Sequence, residues 1–241
     1  MKTNIKIIII LSLTSFALGL YFVFGDLKLK SDNHLRIRGV DISNRYKGEL
    51  NWKALKGNND FVVLRAVREV DTCKKKGLEK FASIIDRKFL KNWASLKRHK
   101  IVRGAYHFFA KNVSAEEQFK VYSTAVKLEK GDLPPILDVE DRYCDMNEVF
   151  KWLSFAKHHY QTTPILYVDY MFYKVYLKDK NDEYPLWIYL KEDYGFEPSF
   201  SNPDCILWQY KQDQKVKGFP ELVDFNVFLG DKAEFEKWLV H

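Results

Sequence analysis

The chain has 241 residues, 46% of them hydrophobic and 16% aromatic, which is enough apolar surface for one large packed domain and excludes an intrinsically disordered chain. Its 39 basic and 32 acidic residues leave a formal net charge of +7, a bias toward anionic surfaces or polymers. No zinc-finger spacing, Walker loop or dense arginine patch accompanies that charge, so a nucleic-acid partner is not expected.

In chain order, Lys2 and Lys6 precede an apolar stretch, Ile7 to Phe24, close to the ~20 residues that cross a bilayer as a helix. Basic residues in front of such a stretch keep the N-terminus cytoplasmic and send the remainder across. Residues 1–25 therefore read as a signal peptide or an uncleaved signal-anchor, and the lack of a clean small-x-small cleavage site favours the anchor. Residues 26–37 are polar, a tether, and 38–241 form the folded domain.

Arg38–Ser43 is the first strand, with Val40 and Ile42 on one face and Asp41 and Ser43 on the other. Phe61–Ala66 is a nearly continuous apolar run, the pattern of a parallel strand covered on both faces. Val67 to Lys80 is charged and reads as a long loop. Phe89, Trp93 and Leu96 recur at helical spacing, and Ile101–Phe109 is a third strand. Ser114 with Glu117, and Asp145 with Glu148, have the spacing of capping boxes for helices to about Lys130 and through Tyr160. Ile165–Val168 is a strand and Phe172–Lys178 a brief helix. After that the rhythm changes. Leu186–Tyr189, Ile206–Tyr210 and Leu222–Phe225 are strand-like, but their spacers lack helical periodicity, and a helix over Asp231–Val240 ends the chain. Alternating β and α elements imply a parallel sheet, and about eight strands, several apolar on both faces, imply that it closes into a barrel.

The stretch that organises the chain is Leu133–Arg142, LPPILDVEDR. Its prolines end what precedes them, and Ile136–Glu140 reads as a buried strand. Asp138 and Glu140 then share a face, their Cα atoms roughly 6–7 Å apart at strand rise. Two neighbouring carboxylates in an apolar strand are costly unless something uses or neutralises them. Asp41, Asp138, Glu140 and Asp224 each fall near the C-terminal end of a predicted strand, where barrel chemistry gathers, with Tyr106, Tyr167, Trp208 and Gln209 expected to line the same cleft. Converging acids ringed by aromatics fit a glycosidase, in which one carboxyl must stay protonated while others carry or stabilise charge. The bland alternatives are structural: Asp41 as a loop cap, Asp224 bonding its neighbours, and Tyr106 and Trp208 as barrel core. His107 has no second ligand at metal spacing and reads as a packed, hydrogen-bonded histidine. Of the cysteines, Cys73 and Cys144 are the better candidate pair, against the simpler alternative of three free thiols that includes Cys205.

From Gly39 to about Leu239 the chain resembles the glycoside hydrolase family 25 lysozymes. The resemblance rests on GVDIS (39–43), FVVLRA (61–66), GAYHFF (104–109), PPILDVE (134–140), LYV (166–168), LWI (186–188), LWQY (207–210) and VDFN (223–226), in that order. It implies an irregular TIM-like (β/α)5(β)3 barrel. It also implies an N-acetylmuramidase acting on peptidoglycan at the exported side of the cell envelope, as a monomer without a cofactor. Glu140 would be the general acid. Asp138 would polarise the substrate's 2-acetamido group so that the sugar supplies its own nucleophile, a recognised exception to the two-carboxylate scheme. The competing assignment makes Asp41 the base or nucleophile, and Asp224, Tyr106, Tyr167, Trp208 and Gln209 would bind substrate. Two departures bear on substrate detail: the long charged segment after the second strand, and Tyr189 where the family usually has a small residue. Two rival functions stand beside this one, a catalytically silent glycan-binding barrel and a hydrolase of another acetamido sugar such as chitin.

Overall fold

The computed structural model describes residues 27–29, 37–43, 50–71, 81–178, 183–191, 196–198 and 204–241. The apolar run Ile7–Phe24, most of the tether and Cys73 lie outside these residues. Among the described residues no helix is long and apolar enough to cross a membrane.

The strands are β1 (Leu27–Leu29), β2 (Arg38–Ile42), β3 (Phe61–Asp71), β4 (Phe81–Ile85), β5 (Val102–Phe108), β6 (Ile136–Asp138), β7 (Ile165–Asp169), β8 (Leu186–Tyr189), β9 (Phe196–Pro198), β10 (Cys205–Lys215) and β11 (Leu222–Phe228). One sheet runs β2-β11-β10-β8-β7-β6-β5-β3-β4, and β2 also pairs with β3, which closes eight of its strands into a barrel. β1 and β9 pair apart from it. From β2 through β10 the barrel neighbours are parallel, but β11 is antiparallel to both β10 and β2. The fully parallel barrel expected from the alternating elements therefore holds for all barrel strands except the last.

The helices are α1 (Trp52–Lys56), α2 (Phe89–Arg98), α3 (Ala115–Ala125), α4 (Met146–Tyr160), α5 (Tyr170–Phe172), which runs into a π-helical turn at Tyr173–Leu177, and α6 (Lys232–Trp238). The first five follow the first five barrel strands and α6 follows the last, and among the described residues no full helix lies between the last three barrel strands, so the architecture is the (β/α)5(β)3 barrel. Ser114 caps α3 by accepting from the Glu117 amide. Asp145 caps α4 through Asn147, whereas Glu148 does not complete a box there but accepts from the Ala115 amide at the start of α3, 2.7 Å away. α3 ends at Ala125, short of the expected Lys130. Val126 is extended, and its carbonyl accepts the Tyr160 hydroxyl. The segment after the second barrel strand is a hairpin arm in place of the expected loop: β3 continues to Asp71 and β4 returns antiparallel to it.

Strand alternation divides the side chains into two layers. Outward-facing Val40, Ile42, Val62, Leu64, Ala105, Leu137, Val139, Leu166, Ile188 and Val227 are buried beneath the helices. Inward-facing Phe61, Val63, Ile136, Ile165, Leu207 and Phe228 fill the barrel, and Phe235 of α6 plugs its base, 5.7 Å from the Phe61 ring and 5.2 Å from Phe228. Asp231 and Glu234 form a full capping box on α6, and Gly131–Val240 and Val240–Asp132 backbone bonds of 2.8 Å latch the chain end to the loop before β6. Gly39 faces inward at this level. A Cβ there would lie 2.2 Å from the Phe61 ring, so the close approach requires glycine.

Candidate active site

At the opposite end, the C-terminal mouth of the parallel strands, the inward positions turn polar. Asp41, Asp138, Glu140 and Asp224 line a single pocket of about 70 Å³ together with Tyr106, Tyr167 and Gln209. A larger groove of about 920 Å³, walled mainly by the β10–β11 hairpin, shares Asp41, Tyr106 and Asp224 with it. Asp224 reaches the mouth differently from the expectation. It lies near the start of β11, and because β11 runs backwards its start stands beside the strand ends, with Asp224 opposite Asp41. β6 stops at Asp138 instead of reaching Glu140, so the two acids share the pocket but not a strand. Asp138 is buried and Glu140 is exposed.

Two amides hold Asp41. Gln209 Nε2 donates to Asp41 Oδ2 at 3.1 Å, and Asn226 Nδ2 donates to the same oxygen at 2.7 Å. Each amide is oriented by an aromatic donor: the Tyr167 hydroxyl donates to Gln209 Oε1, and Trp187 Nε1 donates to Asn226 Oδ1 at 3.0 Å. Burial, reinforced by the charge of Asp224, raises the Asp41 carboxyl well above the usual carboxylate range, and the two amides only partly offset this. Asp138 is also raised well above that range, by burial first and then by Glu140 and Asp41. Its Oδ1 is buried with no hydrogen-bond partner among the described residues. Burial raises Asp224 as well, against the Asp213 amide that donates to its Oδ1 at 2.9 Å. The phenols of Tyr106 and Tyr167 are pushed up by burial and by these acids, so both remain protonated donors.

Trp208 corrects one expectation. Neighbouring residues on a strand face opposite ways, so Trp208 and Gln209 cannot both line the cleft. Gln209 points in. Trp208 points out, 1% exposed, in the layer beneath the helices, and its Nε1 donates to the Leu190 carbonyl at 2.7 Å. It is core, not a sugar platform. His107 is also packed. It stacks on Trp152 (5.5 Å, 11°), and its Nε2 lies 2.7 Å from Gln118 Oε1. That oxygen also accepts from the Ala110 amide, while Gln118 Nε2 donates to two carbonyls, so Nε2 of His107 carries the proton. Burial lowers its pKa to about 4. Cys144 and Cys205 are free thiols. Asn226, Trp187 and Gln212 belong to the site beyond the expected residues. The VDFN segment held a signal for Asn226, which shares an inward face with Asp224.

A closed barrel whose mouth gathers four carboxyl groups between tyrosines and a tryptophan is that of a glycosidase. The sequence model of glycosyl hydrolases family 25 matches residues 40–219, and the chain belongs to that family. Asp41, Asp138 and Glu140 lie within the matched range and Asp224 beyond it. The chain is 28% identical over 214 residues to the YegX protein of Escherichia coli (strain K12), covering 84% of this chain and 73% of that protein. It superposes on a family 25 glycosyl hydrolase from Bacillus anthracis with a TM-score of 0.69 and 27% identity, covering 87% of this chain and 96% of that one. The bacterial lysozyme from Streptomyces coelicolor has the same fold at 18% identity (TM-score 0.68, 86% and 98% covered).

Proposed function

We propose that the protein is a muramidase that hydrolyses the β-1,4 bond between N-acetylmuramic acid and N-acetylglucosamine in peptidoglycan. The observation that carries the mechanism is the contrast between two acids of one pocket: the Gln209 and Asn226 amides both donate to Asp41 Oδ2, whereas Asp138 Oδ1 has no partner among the described residues. An unpaired buried acceptor is costly unless a ligand completes it. Asp138 is therefore the group turned toward the substrate, accepting the acetamido N–H and raising the electron density on the acetamido oxygen. Glu140, at the exposed edge, protonates the glycosidic oxygen. The bond from C1 to that oxygen breaks as the acetamido oxygen bonds C1. The Glu140 carboxylate then takes a proton from water, whose oxygen attacks C1, expels the acetamido oxygen and leaves the configuration retained. Asp41 acts as a fixed neighbour that sets the field, in preference to acting as a nucleophile. The lysine-led apolar run of residues 7–24 supports an envelope location on the exported side, held by that segment or released from it.

The test is incubation of the purified full-length chain, and of Glu140→Gln, with peptidoglycan and with chitin oligomers. Muropeptides should appear with the parent, and at least ~10²-fold more slowly with Glu140→Gln. Cleavage of chitin alone would replace the substrate class, and binding without cleavage by either form would make the barrel a glycan-binding module.

A further inference from the structure

Glu140 stands just past the end of β6, on the loop that leads into α4. Behind it the Val139 amide donates to the Tyr167 carbonyl at 3.0 Å, and ahead of it the Cys144 amide donates to the Asp141 carbonyl at 3.2 Å. Between these two points Asp141 ties the loop sideways. Its Oδ1 accepts the Tyr143 amide at 2.8 Å, and its Oδ2 lies 2.7 Å from Lys111 Nζ. Lys111 belongs to the turn after β5, and that turn is fixed from within. The buried Gln118 side chain donates to the Ala110 and Val113 carbonyls at 2.9 and 2.7 Å and accepts the Ala110 amide at 2.7 Å, so it grips the turn on both sides of Lys111. His107 Nε2 holds Gln118 in turn, at 2.7 Å. On the other flank of the loop Arg142 Nη2 and Asp169 Oδ2 are 3.7 Å apart, a looser pair.

We propose that Lys111 and Asp141 form a positioning element for hydrolysis, fixing the loop that carries Glu140 against the turn after β5 so that the acid meets the glycosidic oxygen. The inference rests on the muramidase reading and deepens it by naming what holds its general acid in place. The two side chains are 42% and 35% exposed, and an ion pair so open to water contributes little to stability. What it supplies is geometry. A 2.7 Å contact between a turn locked to the core and the residue next to Glu140 limits how far the backbone of the acid can swing. Glu140 is exposed, so its own burial does little of that work, and a displacement near ~1 Å can cost ~10²-fold in rate. Neither Lys111 nor Asp141 lines the acid pocket or the larger groove, so neither is placed to hold a sugar there. Without Lys111, Asp141 keeps the Tyr143 amide, so the local turn survives and its tie to the neighbouring turn is what goes.

The experiment measures kcat and KM for peptidoglycan, with the melting temperature, for the full-length chain and for Lys111→Met, Asp141→Asn, the double variant and Lys111→Arg. Each of Lys111→Met and Asp141→Asn should lower kcat about tenfold, with KM within about twofold and melting little changed. The double variant should also lose about tenfold, and not about a hundredfold, because the two side chains act as one unit. Lys111→Arg should recover most of the rate. Lys157→Met breaks a pair of comparable length, 2.9 Å to Glu183, on the far side of α4; it removes the same charge and should leave kcat unchanged. A KM increase with kcat intact, single losses that multiply in the double variant, or an equal loss in Lys157→Met would overturn the inference. Hydrogen exchange reads the loop apart from activity. The Tyr143 and Cys144 amides should exchange about tenfold faster in Lys111→Met, and unchanged exchange would count against the proposal as firmly as unchanged kcat. A wild type that cleaves no peptidoglycan would instead defeat the muramidase reading, and the exchange would still decide whether Lys111 holds the loop.

Discussion

The two ends of the barrel are built on the same strands and obey opposite rules. At the base, Phe61 and Phe228 meet Phe235 of α6, ring against ring, and the Phe61 ring lies against Gly39. At the mouth, a few rungs along, Asp41 and Asp138 are withdrawn from water and Asp224 is half-buried; burial raises all three carboxyls, with Asp224 adding to it at Asp41 and Glu140 and Asp41 at Asp138. The base gains free energy from burial, and the mouth gives some of it up to keep acids where a substrate will meet them. Stability and chemistry are thus separated along the barrel axis, and substitutions at the two ends should have different signatures.

The largest effect should come from the base. Phe235→Ala removes the ring that closes the barrel and should destabilise the fold by about 3–5 kcal/mol in chemical denaturation, with kcat little changed below the melting transition. Loss of kcat at unchanged stability would break the separation of the two ends.

Asp138→Asn should do the reverse at the mouth, losing activity while stability rises by about 1 kcal/mol. The sign follows from its raised carboxyl: above the unfolded value of 3.8 the folded state holds the proton longer than the unfolded chain does. Its contribution to stability therefore falls as pH rises through that window. The gain from Asp138→Asn should accordingly be larger at pH 7 than at pH 4 when denaturation midpoints are compared. A variant that is less stable than the parent at both pH values would mean that Asp138 is a structural acid.

Trp208→Phe sharpens the boundary between the inner and outer layers. Losing the bond to the Leu190 carbonyl should cost about 1 kcal/mol and leave KM for peptidoglycan unmoved, read from melting and steady-state rates. A rise in KM would place Trp208 back in the cleft.

The acids were legible from strand ends and alternation, and the apolar runs gave the barrel. Where the reading failed, information was missing that no local pattern carries. The direction of β11 depends on which strands flank it, so Asp224 reaches the mouth from the beginning of its strand. Trp208 and Gln209 are adjacent in LWQY, and alternation alone separates them but does not say which one faces in. The β3–β4 arm pairs Val67–Asp71, the start of the charged segment that patterns as loop, with Phe81–Ile85, and only that pairing makes a strand of it. Asn226 is a modest polar residue in sequence and a ligand of Asp41 only once Trp187 turns its amide.

By itself the sequence determined the order of strands and helices, the apolar faces that drive closure and the identity of the acids, because periodicity and side-chain chemistry are local properties. The tertiary structure alone decided which of those acids has a carboxyl oxygen without a partner among the described residues and how far each carboxyl is withdrawn from water. Those quantities depend on distances between residues far apart in the chain, and such distances exist only once the barrel has closed.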